Sequence, residues 1–287
     1  MAKRLHSRSS AKEVPAANPD VRLLRLRGLP EIHRGDDLSE QIANAATKAR
    51  MQFENGDVLV IAQKVISKAE GAVVKLGSIV PSPQAQAIAE RQKKDPRLVE
   101  VILNESKRLV RTDPVLIAET RHGYVCANAG VDHSNIPGDD VVSLLPRDPD
   151  RSAKNLAAAL RKRTGKRMAV IISDTFGRPW RLGLTNVAIG ASGVPVLHDL
   201  RGTRDREGKP LTATILAVAD ELAAAAGLLM GKSEGFPVVV IRGYRTSPPP
   251  NPPPASFALP PRICSADFPG VLPRIHFSSL CALCPLC

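Results

Sequence analysis

Two periods of apolar residue recur along the chain, and they mark out its elements. Val21 to Leu26 alternates apolar with basic residues, which predicts a half-buried strand. Gly28 with Pro30, and then Gly35, predict turns, after which Asp36 or Asp37 caps a helix from Leu38 to about Arg50. Asn55-Gly56-Asp57 is a turn that launches a second apolar strand, Val58 to Ala62. Helical spacing returns at Pro83 to Lys93 and at Pro96 to Val110, where Leu98, Val101, Ile102 and Leu109 share a face. Val115 to Ala118 and Tyr124 to Ala127 read as paired strands around His122-Gly123. Asp150 to Arg163 is a helix whose early acidic and late basic residues suit its macrodipole. Ala169 to Ile172 has the continuous apolar, largely β-branched character of a strand covered on both faces. Beyond a glycine turn at Gly190 and Gly193, an alanine-rich helix is expected over Leu211 to Met230 and a last buried strand over Pro237 to Ile241.

Chemistry gathers where the apolar runs stop. Ser173, Asp174 and Thr175 follow Ile172, at a strand end of the kind where open α/β sheets bind ligands. A carboxylate beside a hydroxyl suits Mg²⁺ or Mn²⁺. Gly177 lets the backbone turn, and Arg178 and Arg181 bring cations close by, a set that fits a metal-bound phosphate; a capping Asp with two surface arginines explains the same residues. Gln63, Lys64, Ser67 and Lys68 follow the strand ending at Ala62, and a lysine there either holds phosphate or is merely solvated. The loop ANAGVDHSNIPGDD offers Asp132 as a second metal carboxylate with Ser134 and Asn135 as polar partners, although a turn accounts for such residues too. His133, an isolated loop histidine, is discounted. HDLRGTRDREGKP mixes Arg201, Arg204 and Arg206 with Asp199 and Asp205, as a solvated hairpin tip does, or a lid that pairs internally until an anionic substrate arrives. GLLMGKS, Gly227 to Ser233, imitates a P-loop, but it has three residues rather than four before its Gly-Lys pair and leaves a helix for a strand.

Charge and composition narrow the class. The chain of 287 residues holds 40 Lys plus Arg and 28 Asp plus Glu; removing the four basic and two acidic residues of 1–20 and the two and one of 246–287 leaves 34 against 25 in between. The basic excess therefore belongs to the part that folds, and it favours anionic partners. Three Phe, two Tyr and one Trp precede residue 246 with no clustering among basic residues, so a nucleic-acid stacking platform is not expected, whereas a nucleotide is. Cys126 stands alone before residue 264, as in a reducing cytoplasm. The N-terminus lacks a signal peptide's apolar run, and the most apolar segment, Ala213 to Met230, is broken by Asp220 and Glu221, so a cytoplasmic protein without a membrane span is expected. Residues 1–20 are expected to be a disordered extension and 21–245 the folded domain. Residues 246–287, with 11 Pro and four of the five Cys, are expected to be an aberrant or disordered tail, its C-x₂-C-x₂-C run at Cys281, Cys284 and Cys287 lacking a nearby fourth ligand.

GLPEI, GDVLVIAQKVISKAEG, CANAGVDHSN, VIISDTFGRPWRLGLTNVAIGASG, DLRGTRDREGKPL and the run from ADELAAAAGLLMGK to PVVVIRG occur in this order between about Leu24 and Gly243. Together they resemble the coenzyme F420:L-glutamate ligase family. The resemblance implies mixed α and β structure (α+β) in an intertwined homodimer. It also implies a GTP-dependent reaction in which a carboxylate of the deazaflavin coenzyme precursor is phosphorylated and the amine of L-glutamate then displaces phosphate, giving a γ-linked glutamyl amide. Two divalent cations per site, Mg²⁺ or Mn²⁺, often with K⁺, are implied. By position, Asp132 and Asp174 resemble ligands of the first metal and Thr175 of the second, while Leu29, Pro30, Glu31, Ile32, Gln63, Lys64, Lys68 and Asn135 fall where the family contacts GTP. Gly231, Lys232, Ser233, Glu234 and Gly235 fall on its later nucleotide loop. Arg178, with Arg181, Arg201 and Arg204, is a candidate for anionic-substrate or γ-phosphate contact. Gln63-Lys64 replaces a small hydroxyl pair of some relatives, and Lys232 precedes Glu234 where others are richer in Gly and acidic residues. A ligase of the same mechanism acting on another phosphorylated acid, a non-catalytic nucleotide- or nucleic-acid-binding module, and an inactive product of a disrupted gene are the alternatives.

Overall fold

The computed structural model describes residues 20–244, apart from Pro137, Asp139, Trp180 and Ser233. In chain order its elements are β1 (Arg22–Arg25), α1 (Leu38–Lys48), β2 (Val58–Ala62), α2 (Gln63–Glu70), β3 (Val73–Lys75), α3 (Pro83–Gln92), α4 (Pro96–Glu105), β4 (Ser106–Arg111), β5 (Ile117–Thr120) and β6 (Val125–Ala127). There follow β7 (Val141–Ser143), α5 (Pro149–Thr164), β8 (Ala169–Arg178), β9 (Arg181–Ser192), β10 (His198–Asp199), β11 (Ile215–Leu216), α6 (Val218–Met230) and β12 (Val238–Arg242). The class is mixed α plus β.

The strand periodicity explains how the layers form. The main sheet runs β1-β12-β2-β8-β9, with β2 and β8 parallel and every other neighbour antiparallel. Successive residues of a strand face opposite ways. Leu59, Ile61, Val170 and Ile172 therefore join the core formed with α1 and α5, while Val58, Val60, Ala169 and Ile171 join the core beneath α6. The apolar run at 169–172 is covered on both faces, as its composition requires. Caps hold the helices as their sequences suggest: Asp37 accepts from the Glu40 amide ahead of α1, and Asp148 from the Arg151 amide ahead of α5.

A second lobe lies between α2 and α5. There α3 and α4 pack with Leu116, Ala118 and Val142 around a core of their own, beside the sheet β4-β5-β6 and the ladder β3-β7.

Four expectations about elements are corrected. The helix begun at Pro96 stops at Glu105, and Ser106–Arg111, including Leu109, forms a strand on β5. Lys107 and Arg108 are drawn there by the buried Glu119 of β5, at 3.2 and 2.5 Å. The strand begun at Ala169 does not end at Ile172; it continues to Arg178 and returns as β9, so Ser173, Asp174 and Thr175 stand within a long hairpin and Gly177 is not its turn. Gly190 is not a turn either. It lies in β9 where a Cβ would meet Pro149 backbone atoms at 2.5 Å, which lets the start of α5 press against the strand. The alanine-rich helix starts at Val218 instead of Leu211, because Ile215–Leu216 pairs with β10. Among the described residues no helix is long and apolar enough to cross a membrane. The expected N-terminal extension, except for Asp20, and the tail from 246, with its cysteine run, lie outside the described residues.

Candidate active site where β2 ends beside β8

β2 and β8 run side by side to Ala62 and Ser173, and both lead directly into polar residues. At the end of β2 the chain enters α2 at once, so Gln63, Lys64 and Lys68 stand on its successive turns. The loop carrying Asp132 is pinned beside them by a two-way bridge to β7: the Asp132 amide donates to Ser143 O at 3.2 Å and the Ser143 amide to Asp132 O at 2.8 Å.

This places two stretches 68 residues apart in contact. Lys64 Nζ donates to Asp132 Oδ2 at 2.6 Å and to Ser134 Oγ at 2.5 Å. Ser134 in turn donates to Asp132 through its amide (2.8 Å) and its hydroxyl (2.9 Å). Burial alone would raise the Asp132 pKa, but these donors and the Lys64 charge outweigh it and hold the carboxyl below its ordinary value.

Alternation along β8 divides its two candidate ligands. Asp174 follows Val170 and Ile172 onto the α1/α5 face, and Thr175 follows Ile171 onto the α6 face. Thr175 Oγ1 donates to Asn186 Oδ1 of β9 at 3.0 Å and accepts from Lys232 Nζ at 2.9 Å. Asp174 has no such direct ammonium contact. Burial pushes its pKa up to about 6 and the Asp132 charge adds to the rise, against the Thr175 amide and the charges of Lys64 and Lys232. Cys126 lies on the same side, its thiol pushed up to about 12 by burial and then by the Asp174 charge.

The later loop closes the arrangement. Asn135 Nδ2 donates to Lys232 O at 3.2 Å, joining the Asp132 loop to the loop after α6. Glu234 pairs with Arg25 at 3.0 Å, and Gly231, at φ 62°, packs on the Glu234 side chain. Lys68 pairs with Glu31 at 2.5 Å and so ties the Leu29–Ile32 turn to α2. Leu29 is half-buried, Pro30 exposed and Ile32 buried in the α1/α5 core; Gly235 is exposed. Behind these groups the buried Gln63 Nε2 and Ser173 Oγ have no hydrogen-bond partner. The α6-to-β12 order confirms that Gly227 to Ser233 is no P-loop, and Ser233 lies outside the described residues.

The structure thus brings Lys64, Asp132, Asn135, Asp174, Thr175 and Lys232 together. It does not bring the arginines with them. Arg178 is exposed at the hairpin tip, where its guanidinium donates to Leu182 O, about 13 Å along the strand from Asp174. Arg201 forks onto Asp199 at 2.6–3.1 Å, holding that carboxyl at about 2, and Arg204 donates to Gly208 O at 2.6 Å, so the 198–216 segment is an internally bonded hairpin. Asn186 is the site residue that the sequence does not reveal, since only strand pairing sets it opposite Thr175.

Residues 28–243 match the family described as F420-0:Gamma-glutamyl ligase. The chain belongs to that family. It is 53% identical over 227 residues to the coenzyme F420:L-glutamate ligase of Methanopyrus kandleri, covering 77% of this chain and 88% of the relative. It is 48% identical over 226 residues to the enzyme of that name from Methanothermobacter thermautotrophicus, covering 78% and 89%. All the residues of the lysine–aspartate–threonine cluster fall inside the ligase-family match.

The donors gathered here are oxygens, which suit hard cations such as Mg²⁺ and Mn²⁺. Two carboxylates and a hydroxyl are hard oxygen donors, and among the described residues no group of three or more His, Cys, Asp and Glu side chains is placed to hold a metal. Mg²⁺ is commonly held by one or two carboxylates, with water and substrate phosphates completing the shell.

Proposed function

We propose that this chain is a GTP-dependent ligase that joins L-glutamate through a γ-linked amide to the deazaflavin coenzyme F420 precursor. The observation that carries the reading is the convergence of Lys64, Asp132, Asp174, Thr175 and Lys232 where β2 ends beside the middle of β8, within a chain of the ligase family. A precursor carboxylate oxygen attacks the γ-phosphorus and GDP leaves; the glutamate amine then attacks the acyl carbon and inorganic phosphate leaves. A free carboxylate resists amines because its leaving group is oxide, and phosphorylation replaces it with a better one. Divalent cations, when bound, supply neutralisation of charge on the transferred phosphoryl.

The protein's residues do the holding. Asp132 and Asp174 offer oxygens for one Mg²⁺ or Mn²⁺ and Thr175 for a second, with K⁺ as a further activating ion. Lys64, Lys68 and Asn135, the Leu29–Ile32 turn and the described residues of the Gly231–Gly235 loop line the approach to the nucleotide, with Gln63 buried behind them. The Glu31–Lys68 pair sets the turn against α2, and the Asn135–Lys232 bond sets one nucleotide loop against the other. No side-chain nucleophile is required. A homodimer in the cytoplasm is part of this reading.

The test is GDP release from GTP with Mn²⁺ and L-glutamate, with and without the deazaflavin precursor, while mass spectrometry follows glutamyl addition. GDP release coupled to that mass gain is expected. Coupled release with a different phosphorylated acid and none with the precursor would overturn the substrate assignment.

A further inference from the structure

Two of the three groups whose oxygens suit a metal, Asp132 and Thr175, are already engaged by ammonium groups. Lys64 Nζ sits 2.6 Å from Asp132 Oδ2 with only 18% of its side chain exposed, and Lys232 Nζ sits 2.9 Å from Thr175 Oγ1. The charges of both also act on Asp174. One carboxylate is thus paired with an ammonium and one hydroxyl accepts from another, and the formal charges of Asp132, Asp174, Lys64 and Lys232 sum to zero. A divalent cation entering the cluster alone meets repulsion from both lysines, and most strongly from Lys64, whose side chain is largely shielded from water. A cation arriving with a nucleotide does not. The triphosphate offers oxygens to which a flexible, compact lysine head can transfer, leaving the carboxylates to the metal.

We infer that Lys64 and Lys232 are exchangeable counter-cations, which hold the metal-binding oxygens in place, exclude a lone divalent ion and admit it with the nucleotide. They are positioning and specificity-determining residues in this role. The two come from different elements, α2 and the loop after α6, and reach different groups, Lys64 the Asp132 carboxylate in the loop before β7 and Lys232 the Thr175 hydroxyl on β8. The inference rests on the reading of Asp132, Asp174 and Thr175 as the cation site.

The experiment titrates the full chain with Mn²⁺, following the free-ion electron paramagnetic resonance signal, alone and with a non-hydrolysable GTP analogue. Lys64→Met and Lys232→Met are compared with the unmodified chain and with Lys64→Arg, each checked for cooperative thermal unfolding. Lys232 is exposed, so its variant puts the fold least at risk. Each Met variant is expected to bind Mn²⁺ alone about tenfold more tightly, or about 1.4 kcal/mol, and the Mn²⁺–nucleotide pair about tenfold more weakly. Lys64→Arg should stay near the unmodified values. Weakening of both ligands, or weaker nucleotide binding with Mn²⁺ binding unchanged, would overturn the inference, leaving the lysines as structural or simple phosphate contacts while the cation site stands. If neither the unmodified chain nor any variant bound Mn²⁺ in either condition, the cation-site reading would fall, and this inference with it.

Discussion

Asp174→Asn should make the metal-free protein more stable and the enzyme inactive. Burial raises the Asp174 pKa from its ordinary 3.8 to about 6, so the folded chain retains a proton that the unfolded chain gives up between those values. The unfolded state then binds fewer protons, and stability falls as pH rises through that window; above about 6 both states are ionised and the loss is constant. A rise of about 2 pH units corresponds to about 3 kcal/mol, reduced to about 1–2 kcal/mol by the water that reaches this half-buried carboxylate. The amide carries no charge and escapes that cost. Urea unfolding in EDTA at pH 7.5 should show the Asn variant more stable by about 1–2 kcal/mol, and the gap should close towards pH 4.5. Saturating Mn²⁺–nucleotide should reverse the order, since a ligand at a hundredfold its Kd adds about 2.7 kcal/mol to the form that binds it. A variant less stable than the parent at pH 7.5, or a gap that did not change with pH, would refute the argument that a desolvated charge is held here for function.

Thr175→Val should keep the fold within about 1 kcal/mol yet lower kcat/KM at least about tenfold, because Lys232 and Asn186 lose the hydroxyl between them; steady-state kinetics with a urea melt checks both. Arg242→Met should destabilise the chain by about 3 kcal/mol in urea unfolding, since the buried Asp57 loses a two-pronged partner at 2.8 and 2.9 Å. Gly190→Ala should cost about 3 kcal/mol by the same measurement, because the added methyl meets Pro149 backbone atoms, which cannot yield as a side chain does.

Much of the architecture follows from local pattern. Alternation or continuity of apolar residues located β1, β2, β12 and the start of β8, and the Asp37 cap and the helix-opening Pro96 located helix starts. Those signals are physical constraints on each segment alone. The end of β2 just before Gln63 and Lys64 likewise pointed to the chemical part of the sheet, whereas Asp174, expected just past a strand end, stands within β8. Segments whose conformation depends on a partner were misread. Ser106–Arg111 and Ile215–Leu216 are strands because β5 and β10 offer them ladders, a tertiary gain that overrides weak helical preference. Ser173 to Arg178 stays extended because β9 returns beside it. The site depends still more on the whole chain. The Lys64–Asp132 pair, the Thr175–Asn186 bond and the separation of Asp174 from Thr175 on two faces of one strand arise only when distant elements pack. Residue types and their order are local information, and they determined the chemistry on offer and those elements whose pattern needs no partner. Which oxygen meets which ammonium depends on packing across the chain, and only the tertiary structure decided it.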